Sequence, residues 1–535
     1  MRFALLVVLS ALLVTAARGE GPGERWLYCP TNMLVDANVE KDEALFARAA
    51  KAGYTHVLLS DTKLHKLGDM DAKYFKNVER VKQAAAANGL KIIPAVFPIG
   101  YSEAILWHDP NLAEGMPVKE MPLEVKGGMA RLVADAAVGL KGGDFANLKA
   151  WGWHDDAVSY DAGEKALRIA DPAGKNARIS QKIHLNPYRQ YHLSFRVKTQ
   201  DFKANLEAKV LVNKASLAWQ FLGVKTTQPW TVHHITFNSQ EHTEGNLYIG
   251  CWGGTTGKCF IADAKLEETP FTNLLRRGGT PLVVTRENGE ALVEGKDFEK
   301  LVDPLMGNKP WKGSFDTWHE PPVLKTNLPE GTRLKASYYH VASVYDNQVT
   351  ICPSEPKTVE LLRDEAKRVT ALFKADGYFM SHDEIRVWNW CDACQKRHMD
   401  AGEILADNVR TCTKLLREAA PGAKVYVWSD MFDPNHNAHG DYYLVHGDYK
   451  NSWLGLDKDV VIALWYQGKA KESMEFFGGR GNRMMIAGYY DGPVANVHKW
   501  LDAAKASAPD KVDGVMYTTW RNDYSQIEAF AKELK

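Results

Sequence analysis

The sequence predicts an α/β protein built on a (β/α)8 TIM barrel that is interrupted after strand three by a β-sandwich (jelly-roll) insertion. Two observations support this fold class. Strand and helix patterns alternate near both ends of the 535-residue chain, as they do in parallel βαβ units. In between, from about residue 148 to 266, the pattern changes to short β segments typical of a sandwich. Three barrel strands precede this change and five follow it, which makes the eight that close a barrel.

The barrel strands are recognised as apolar runs, because a parallel strand is buried on both faces. They are predicted at 26–30, 56–60, 91–97, 378–382, 424–428, 460–465, 484–490 and 514–520. Amphipathic helical patterns are predicted at 39–52, 75–88, 356–373, 401–420, 494–507 and 525–534.

The middle of the chain divides into two β-rich parts. Alternating segments at 166–170, 191–197, 208–212, 231–237 and 247–251 predict the sandwich. Residues 281–345 form a further β-rich piece, and we assign its segment 334–339 to the insertion rather than to the barrel. The predicted domains are 20–140 (first part of the barrel), 141–270 (sandwich), 271–350 (small β-rich insertion) and 351–535 (remainder of the barrel).

The N-terminus and the overall charge restrict the location and partners of the protein. A charged start, an apolar run at 3–14 and small residues after it are the pattern of a signal peptide over 1–19. We therefore expect a secreted or periplasmic protein with no membrane span in the mature chain. Lys plus Arg and Asp plus Glu number 66 each, which gives no electrostatic reason to expect nucleic acid as a partner.

The seven cysteines are an odd number, which argues against a dense disulfide framework. Cys251 and Cys259 flank a glycine-rich turn and are candidates for pairing. Cys391 and Cys394 form one C-x-x-C motif. Zinc sites usually need four such ligands, and no second C-x-x-C exists, so a disulfide or free thiols are expected there. We predict no metal and no cofactor.

Residues 377–387, GYFMSHDEIRV, are the most informative segment of the chain. An apolar run ends in two adjacent acids, Asp383 and Glu384, where a barrel strand reaches its carboxyl end. Barrel enzymes place their chemistry at this end, and two acids there carry a desolvation cost that a structural position seldom requires. The segment therefore predicts a catalytic carboxyl pair. No phosphate-binding glycine loop and no G-x-S-x-G motif is present.

The other predicted strand ends are rich in aromatic, acidic and amide side chains. Aromatic rings stack on the apolar faces of sugars, while acids and amides bind hydroxyl groups, so we expect an oligosaccharide or polysaccharide substrate. The candidate substrate-binding residues are His382, Arg386, Trp428, Asp430, Trp465, Tyr490, Asp491 and Trp520.

The segment 379–385 resembles the fourth-strand motif H-x-G-G-D-E-V of the glycoside hydrolase family 20 β-N-acetylhexosaminidases. Asp383 and Glu384 match, and Ile385 is a conservative replacement. Ser381 and His382 stand in place of the two glycines, and Phe379 in place of the histidine. Weaker similarities are the sequence VWSD at 427–430, Trp465, the pair Tyr490-Asp491 and Trp520.

This resemblance implies a retaining, substrate-assisted hydrolysis of terminal N-acetylhexosamine. Glu384 would be the general acid and base, and Asp383 would orient the 2-acetamido group that acts as nucleophile. Tyr490 would donate a hydrogen bond to the acetamido oxygen. Trp428, Trp465 and Trp520 would form the walls of the sugar subsite.

The inserted sandwich resembles jelly-roll carbohydrate-binding modules, with 191–198 as a typical central strand. Its candidate aromatic platforms are Trp151, Trp153, Trp219, Trp230 and Trp252. It is equally compatible with bracing the barrel or with dimerisation.

Three alternatives to this function remain open. Glu384 and Asp430 could act as two enzyme carboxylates on non-acetylated sugars. The chain could bind glycans without catalysis. Glu384 could instead form a structural ion pair with Arg386.

Overall fold

The computed structural model describes residues 23–535 except 171–173, 214, 316–317 and 346–347. The predicted signal peptide at 1–19 lies outside the described residues. Eight parallel strands close into a barrel. In chain order they are β1 (Glu24–Pro30), β2 (His56–Ser60), β3 (Lys91–Val96), β4 (Gly377–Met380), β5 (Lys424–Trp428), β6 (Val461–Leu464), β7 (Met484–Ala487) and β8 (Val512–Tyr517).

Among the described residues, seven α-helices of about two turns or more accompany these strands. They are α1 (Asp36–Ala52), α2 (Ala72–Ala87), α3 (Pro356–Phe373), α4 (Ala401–Ala419), α5 (Ala470–Arg480), α6 (Val497–Ser507) and α7 (Ile527–Glu533). Local sequence explains several of their ends. α1 stops at Gly53, which adopts a left-handed φ of 96°. α4 begins with a capping box formed by Asp400 and Glu403. The sequence did not predict α5, because two glycines in its last turn weaken the helical pattern.

The remaining helical segments are short turns, and most of them lie in the connecting loops. They are Thr62–Asp69, Pro110–Leu112, Leu148–Trp151, Asp392–Gln395, Asp430–Phe432, Ser452–Gly455, Gln467–Lys469 and Val494–Asn496.

Two apolar layers hold the barrel together. Inside the barrel, side chains from all eight strands form one cluster, including Trp26, Phe379, Tyr426 and Trp428. Outside it, the other faces of the strands pack against the helices in a much larger cluster. Both faces of each strand are therefore buried, which is the physical reason for the apolar runs in the sequence.

Two five-stranded antiparallel sheets form the sandwich. One contains Gln228–Asn238, Gln190–Lys203, Thr256–Glu268, Ala166–Ile169 and Val158–Asp161, in this spatial order. The other contains Ala215–Phe221, Glu207–Val212, Glu244–Cys251, Ala177–His184 and Trp153–His154. Their shared core also includes Val387, Trp390 and Leu444, which belong to barrel loops. The prediction of a closed barrel combined with β-sandwich sheets is confirmed at this level.

A third five-stranded sheet differs from the predicted division of the chain. It contains Val283–Arg286, Arg333–Val341, Gly115–Lys126, Met129–Leu132 and Leu324–Lys325. Residues 115–132, which the predicted boundary at 140 places in the barrel, belong to this sheet, where Gly115–Lys126 pairs with both Arg333–Val341 and Met129–Leu132. Val118 lies opposite Tyr338, and a pairing this distant along the chain leaves no local signal in the sequence.

The barrel strands are shorter at their carboxyl ends than predicted. β4 ends at Met380, β7 at Ala487 and β8 at Tyr517. Residues 383–384, 490–491 and 520 therefore lie in loops beyond the strands. Just above the barrel, Val387–Trp388 and Leu444–Val445 pair as two short parallel strands that join the loops after β4 and β5.

All seven cysteines are buried and unpaired, so the predicted pairing of Cys251 with Cys259 is wrong. The same holds for a disulfide within the C-x-x-C motif. Within the described part of the chain, no helix combines the length and apolarity that crossing a bilayer requires.

Candidate active site

The loops that follow the carboxyl ends of β1–β8 surround an opening that we call the mouth. The loops after β3 and β4 are joined there by backbone hydrogen bonds, from Ser381 N to Val96 O (2.8 Å) and from Ile99 N to Ser381 O (3.0 Å). Gly100 permits this approach, since a Cβ at that position would lie 1.9 Å from the carbonyl oxygen of Asp383. The loop then turns sharply at Glu384, which has a φ of 49°.

Glu384 is held by two side chains. Its Oε1 is 2.8 Å from Nη2 of Arg386, and its Oε2 accepts a hydrogen bond from the hydroxyl of Tyr101. The Glu384 side chain is 26% exposed and that of Arg386 is 3% exposed. The carboxyl group therefore meets solvent on one side and a buried positive charge on the other. This contact is the ion pair that one of the alternatives above predicted.

Arg386 is itself fixed in place by groups from two barrel loops and from the end of the insertion. Its Nη1 donates hydrogen bonds to the side-chain oxygen of Gln348 and to the hydroxyl of Tyr101, the latter at 3.2 Å. Its guanidinium lies 4.4 Å from the ring centre of Tyr345 and 5.0 Å from that of Tyr443. Such cation–π contacts strengthen when the cation is desolvated.

Asp430 lies beneath Glu384 and has no exposed surface. Its Oδ2 accepts hydrogen bonds from the backbone N–H of Glu384 (2.8 Å) and from Asn437 Nδ2 (3.0 Å), and its Oδ1 from Trp465 Nε1 (3.3 Å). Burial, together with the negative charge of Glu384, raises the pKa of Asp430 to about 7. Asp430 thus positions the loop that carries Glu384.

Asp383 completes a group of three neighbouring carboxyls. Burial, followed by the negative charges of Asp430 and Glu384, raises its pKa to about 8. A free carboxyl group would ionise near pH 4, so the cluster favours retention of a proton at neutral pH. Neighbouring acids with such different partners are the usual basis for dividing acid and base roles in an active site.

Aromatic rings form a continuous arc around these acids. The Trp520 ring lies 5.4 Å from that of Tyr28 and 6.0 Å from that of Tyr490, and Tyr490 stacks parallel to Trp465 at 6.2 Å. Tyr490 and Trp520 are 54% and 43% exposed. Burial, with the negative charge of Glu384, raises the pKa of Tyr490 to about 12. The arc offers stacking surfaces and a phenolic donor beside the acids.

Other predicted substrate-binding residues serve different purposes. His382 has no exposed surface and contacts Asn408 of α4 through its Nε2 at 3.1 Å, so it faces away from the mouth. Burial lowers its pKa to about 4. Trp428 is buried at the top of the barrel interior, 6.0 Å from Trp520. Asp491 accepts hydrogen bonds from the Thr519 hydroxyl (2.6 Å) and the Trp520 backbone N–H (2.7 Å), which fixes the loop after β8.

The structure brings together nine of the ten predicted residues at or beneath the mouth: Asp383, Glu384, Arg386, Trp428, Asp430, Trp465, Tyr490, Asp491 and Trp520. Sequence reasoning missed Tyr101, Gln348, Tyr345 and Tyr443. Tyr101 lies in the loop after β3, which ends at Val96, and its position near a strand end was a usable signal. The contributions of Gln348 and Tyr345 come from the end of the insertion, where the sequence contains no motif.

No family model and no curated protein sequence matches the chain. Solved structures that match it include a rhamnosidase from Novosphingobium sp. PP1Y, at 12% identity and a TM-score of 0.34, over 96% of this chain and 58% of that one. A chitobiase from Flavobacterium johnsoniae matches at 18% identity and a TM-score of 0.28, over 36% of this chain and 30% of that one. A structure described as CBM4 matches at 19% identity and a TM-score of 0.19, over 24% of this chain and 85% of that one. At these values no family is assigned, and function has to be inferred from the mouth itself.

Proposed function

We propose that the chain is a glycoside hydrolase whose active site is the mouth of the barrel, with Asp383 and Glu384 as the catalytic pair. The observation that carries this proposal is their placement. Both acids are partly accessible in the loop after β4, beside the exposed rings of Tyr490 and Trp520. Acids that exchange protons next to rings that stack on a sugar are the elements that glycosidic bond cleavage requires.

The other acids at the strand ends are committed to structure, which supports the choice of this pair. Asp61 is buried, and its carboxylate accepts hydrogen bonds from the backbone N–H groups of Met33 and Lys63. Asp430 is buried, and its carboxylate accepts a hydrogen bond from the Glu384 backbone. Asp491 accepts a hydrogen bond from the Trp520 backbone in the loop after β8. Asp383 and Glu384 are neighbours in one loop, so they do not have the arrangement of two carboxyls that flank a sugar from opposite faces.

For this reason we favour substrate-assisted hydrolysis of a terminal N-acetylhexosamine. Glu384 protonates the glycosidic oxygen and then activates water, while the acetamido group of the substrate attacks the anomeric carbon. The ring formed in that attack carries an N–H group, and a carboxyl oxygen of Asp383 accepts a hydrogen bond from it. Tyr490 donates a hydrogen bond to the acetamido oxygen, Trp520 and Trp465 stack on the sugar, and Arg386 orients Glu384.

One observation favours a second candidate, a glycosidase that uses two enzyme carboxylates. Asp383 retains a proton to about pH 8, whereas Glu384 is paired with Arg386. In this candidate Asp383 is the acid and Glu384 the nucleophile, and the substrate needs no acetamido group. Asp430 does not take part directly, because it has no exposed surface.

A panel of chromogenic glycosides tests both candidates. The first expects turnover of N-acetylglucosaminides or N-acetylgalactosaminides and competitive inhibition by a thiazoline analogue of the cyclic intermediate. The second expects turnover of sugars without an acetamido group and trapping of Glu384 by a 2-fluoro glycoside. Binding of glycans on an array without turnover of any substrate would refute both and leave a glycan-binding protein.

We further propose that the protein is exported and that its sandwich binds glycan, with Trp153 as the contact. Trp153 is exposed, with the Arg178 guanidinium 5.1 Å from its ring centre, whereas Trp151 is part of the sandwich core. The rings of Trp219 and Trp252 are each covered by Lys209, at 3.9 and 3.6 Å. Loss of glycan binding in Trp153→Ala, with unchanged hydrolysis of a small chromogenic substrate, is the expected result. Unchanged glycan binding would favour the bracing role.

A further inference from the structure

Four buried side chains from distant parts of the chain meet outside the mouth. They are Glu114, Cys352, Cys391 and Cys394, and one ligand atom of each lies within 4.8 Å of all the others. The Cys352 Sγ is 3.4 Å from the Sγ of Cys391 and 3.7 Å from that of Cys394. The Glu114 Oε2 is 3.6 Å and 3.5 Å from these last two sulfur atoms. We call this group the cysteine–glutamate cluster.

We propose that the cysteine–glutamate cluster binds one zinc ion with a structural role. Thiolates at about 2.3 Å from a tetrahedral zinc lie about 3.8 Å from one another, and a thiolate lies about 3.5 Å from a carboxylate oxygen bound at about 2.0 Å. The observed separations lie within about 0.4 Å of these values and exceed the roughly 2.05 Å of a disulfide bond. Three thiolates with one carboxylate oxygen are a donor set that suits zinc among the abundant divalent ions.

The surroundings of the cluster orient its ligands as the second layer of a metal site does. The second oxygen of Glu114 accepts hydrogen bonds from the backbone N–H groups of Trp390 and Cys391, both at 2.8 Å. Arg277 Nη2 donates to the Cys391 sulfur at 3.5 Å. A divalent ion and this guanidinium together offset most of the negative charge of three thiolates and one carboxylate.

The location of the cluster indicates what the ion does. Glu114 directly precedes Gly115–Lys126, the first strand outside the barrel, and Cys352 lies just before α3, where the chain returns to it. Cys391 and Cys394 follow the loop that carries Glu384 and Arg386. One ion therefore joins both ends of the insertion to the loop of the mouth. Closing a loop of this length by a crosslink constrains the unfolded chain, which stabilises the fold.

This inference reverses the expectation of no metal drawn from the sequence. The C-x-x-C motif does have partners, but Cys352 is 39 residues and Glu114 277 residues from Cys391 along the chain. No spacing rule connects ligands so far apart, and a glutamate ligand has no motif of its own.

Elemental analysis of the purified full-length protein, prepared without chelators, tests the inference without any substrate. We expect about one zinc per chain, at least tenfold less in Cys352→Ser, Cys394→Ser and Glu114→Gln, and an unchanged content in Cys412→Ser. Cys412 is a matched control because it is an equally buried thiol, on α4 and outside the cluster. Removal of zinc by a chelator should lower the Tm by about 5 °C or more.

A second measurement uses only the wild type, so it does not depend on whether the variants fold. It counts the reactive thiols of the unfolded chain. With zinc removed and no reductant present, all seven cysteines should react. A count two lower whose missing thiols map to the cluster cysteines, or less than one tenth of an equivalent of any transition metal after expression in zinc-supplemented medium, would overturn the inference. Because metal and thiol content are measured without substrate, this outcome is independent of whether the proposed hydrolase activity is found.

Discussion

The substitution Glu384→Gln isolates the proposed proton transfer from the architecture of the mouth. The amide has the same shape, its oxygen can accept the hydrogen bond from Arg386, and its nitrogen can donate to Tyr101. Because the buried Arg386 keeps its hydrogen bonds to Gln348 and Tyr101, loss of the Glu384 charge should reduce the free energy of unfolding by about 1–3 kcal/mol. We therefore expect a folded protein with a chemical defect.

The size of this defect depends on the leaving group. A positioned general acid contributes about 10²- to 10⁴-fold, which corresponds to about 3–5 kcal/mol of activation free energy. This loss should appear in full on kcat/KM for a disaccharide, whose departing sugar must be protonated. It should shrink to about tenfold or less for an aryl glycoside with a strongly acidic phenol, which leaves without a proton.

The assay compares kcat/KM of wild type and variant across a series of leaving groups. Glu418→Gln is the matched control, since Glu418 of α4 pairs with Arg363 of α3 at 2.9 Å and both side chains are 47% exposed on the outer helices. The control should have wild-type kinetics throughout. If Glu384→Gln hydrolyses the disaccharide at the wild-type rate, Glu384 is not the acid and the assignment fails.

Three further predictions concern other parts of the mouth. Asp383 has a pKa of about 8 in the folded protein and about 4 when unfolded, so folding retains a proton between these values and stability falls as pH rises from 4 to 8. Asp383→Asn should remove this pH dependence. In urea unfolding, the stability of the variant minus that of the wild type should therefore be about 1–3 kcal/mol larger at pH 8 than at pH 5. Equal pH dependence of the two proteins would contradict the environment described for Asp383. Gly100→Ala should lower kcat at least tenfold, because its Cβ would displace the carbonyl of Asp383; wild-type kinetics would show that the two loops separate freely. Trp520→Ala should raise KM about tenfold, which corresponds to about 1.4 kcal/mol of lost stacking. Trp153→Ala on the sandwich is the control and should leave KM for a small substrate unchanged. Equal effects of the two substitutions would argue against sugar binding at the arc.

Local patterns in the sequence determined the barrel and the position of its acids. Strands such as Val461–Leu464 are buried on both faces, and this burial appears in the sequence as an apolar run. The acids follow such a run at β4, and their proximity to the aromatic residues after β7 and β8 follows from the parallel order of the strands. The apolar runs are short-range signals, and consecutive βα units usually pair in chain order, so the sequence alone was sufficient to predict both.

Only the tertiary structure decided which side chains face the mouth and which distant residues meet. His382 and Asp383 are neighbours, yet one packs against α4 and the other lies among the carboxyls, because β4 ends at Met380 and the backbone turns at Glu384. Gln348 reaches Arg386, and Glu114 reaches Cys391, through packing of the insertion against the barrel. Such contacts result from the summed burial of many side chains across the whole fold, and no local periodicity or spacing records them.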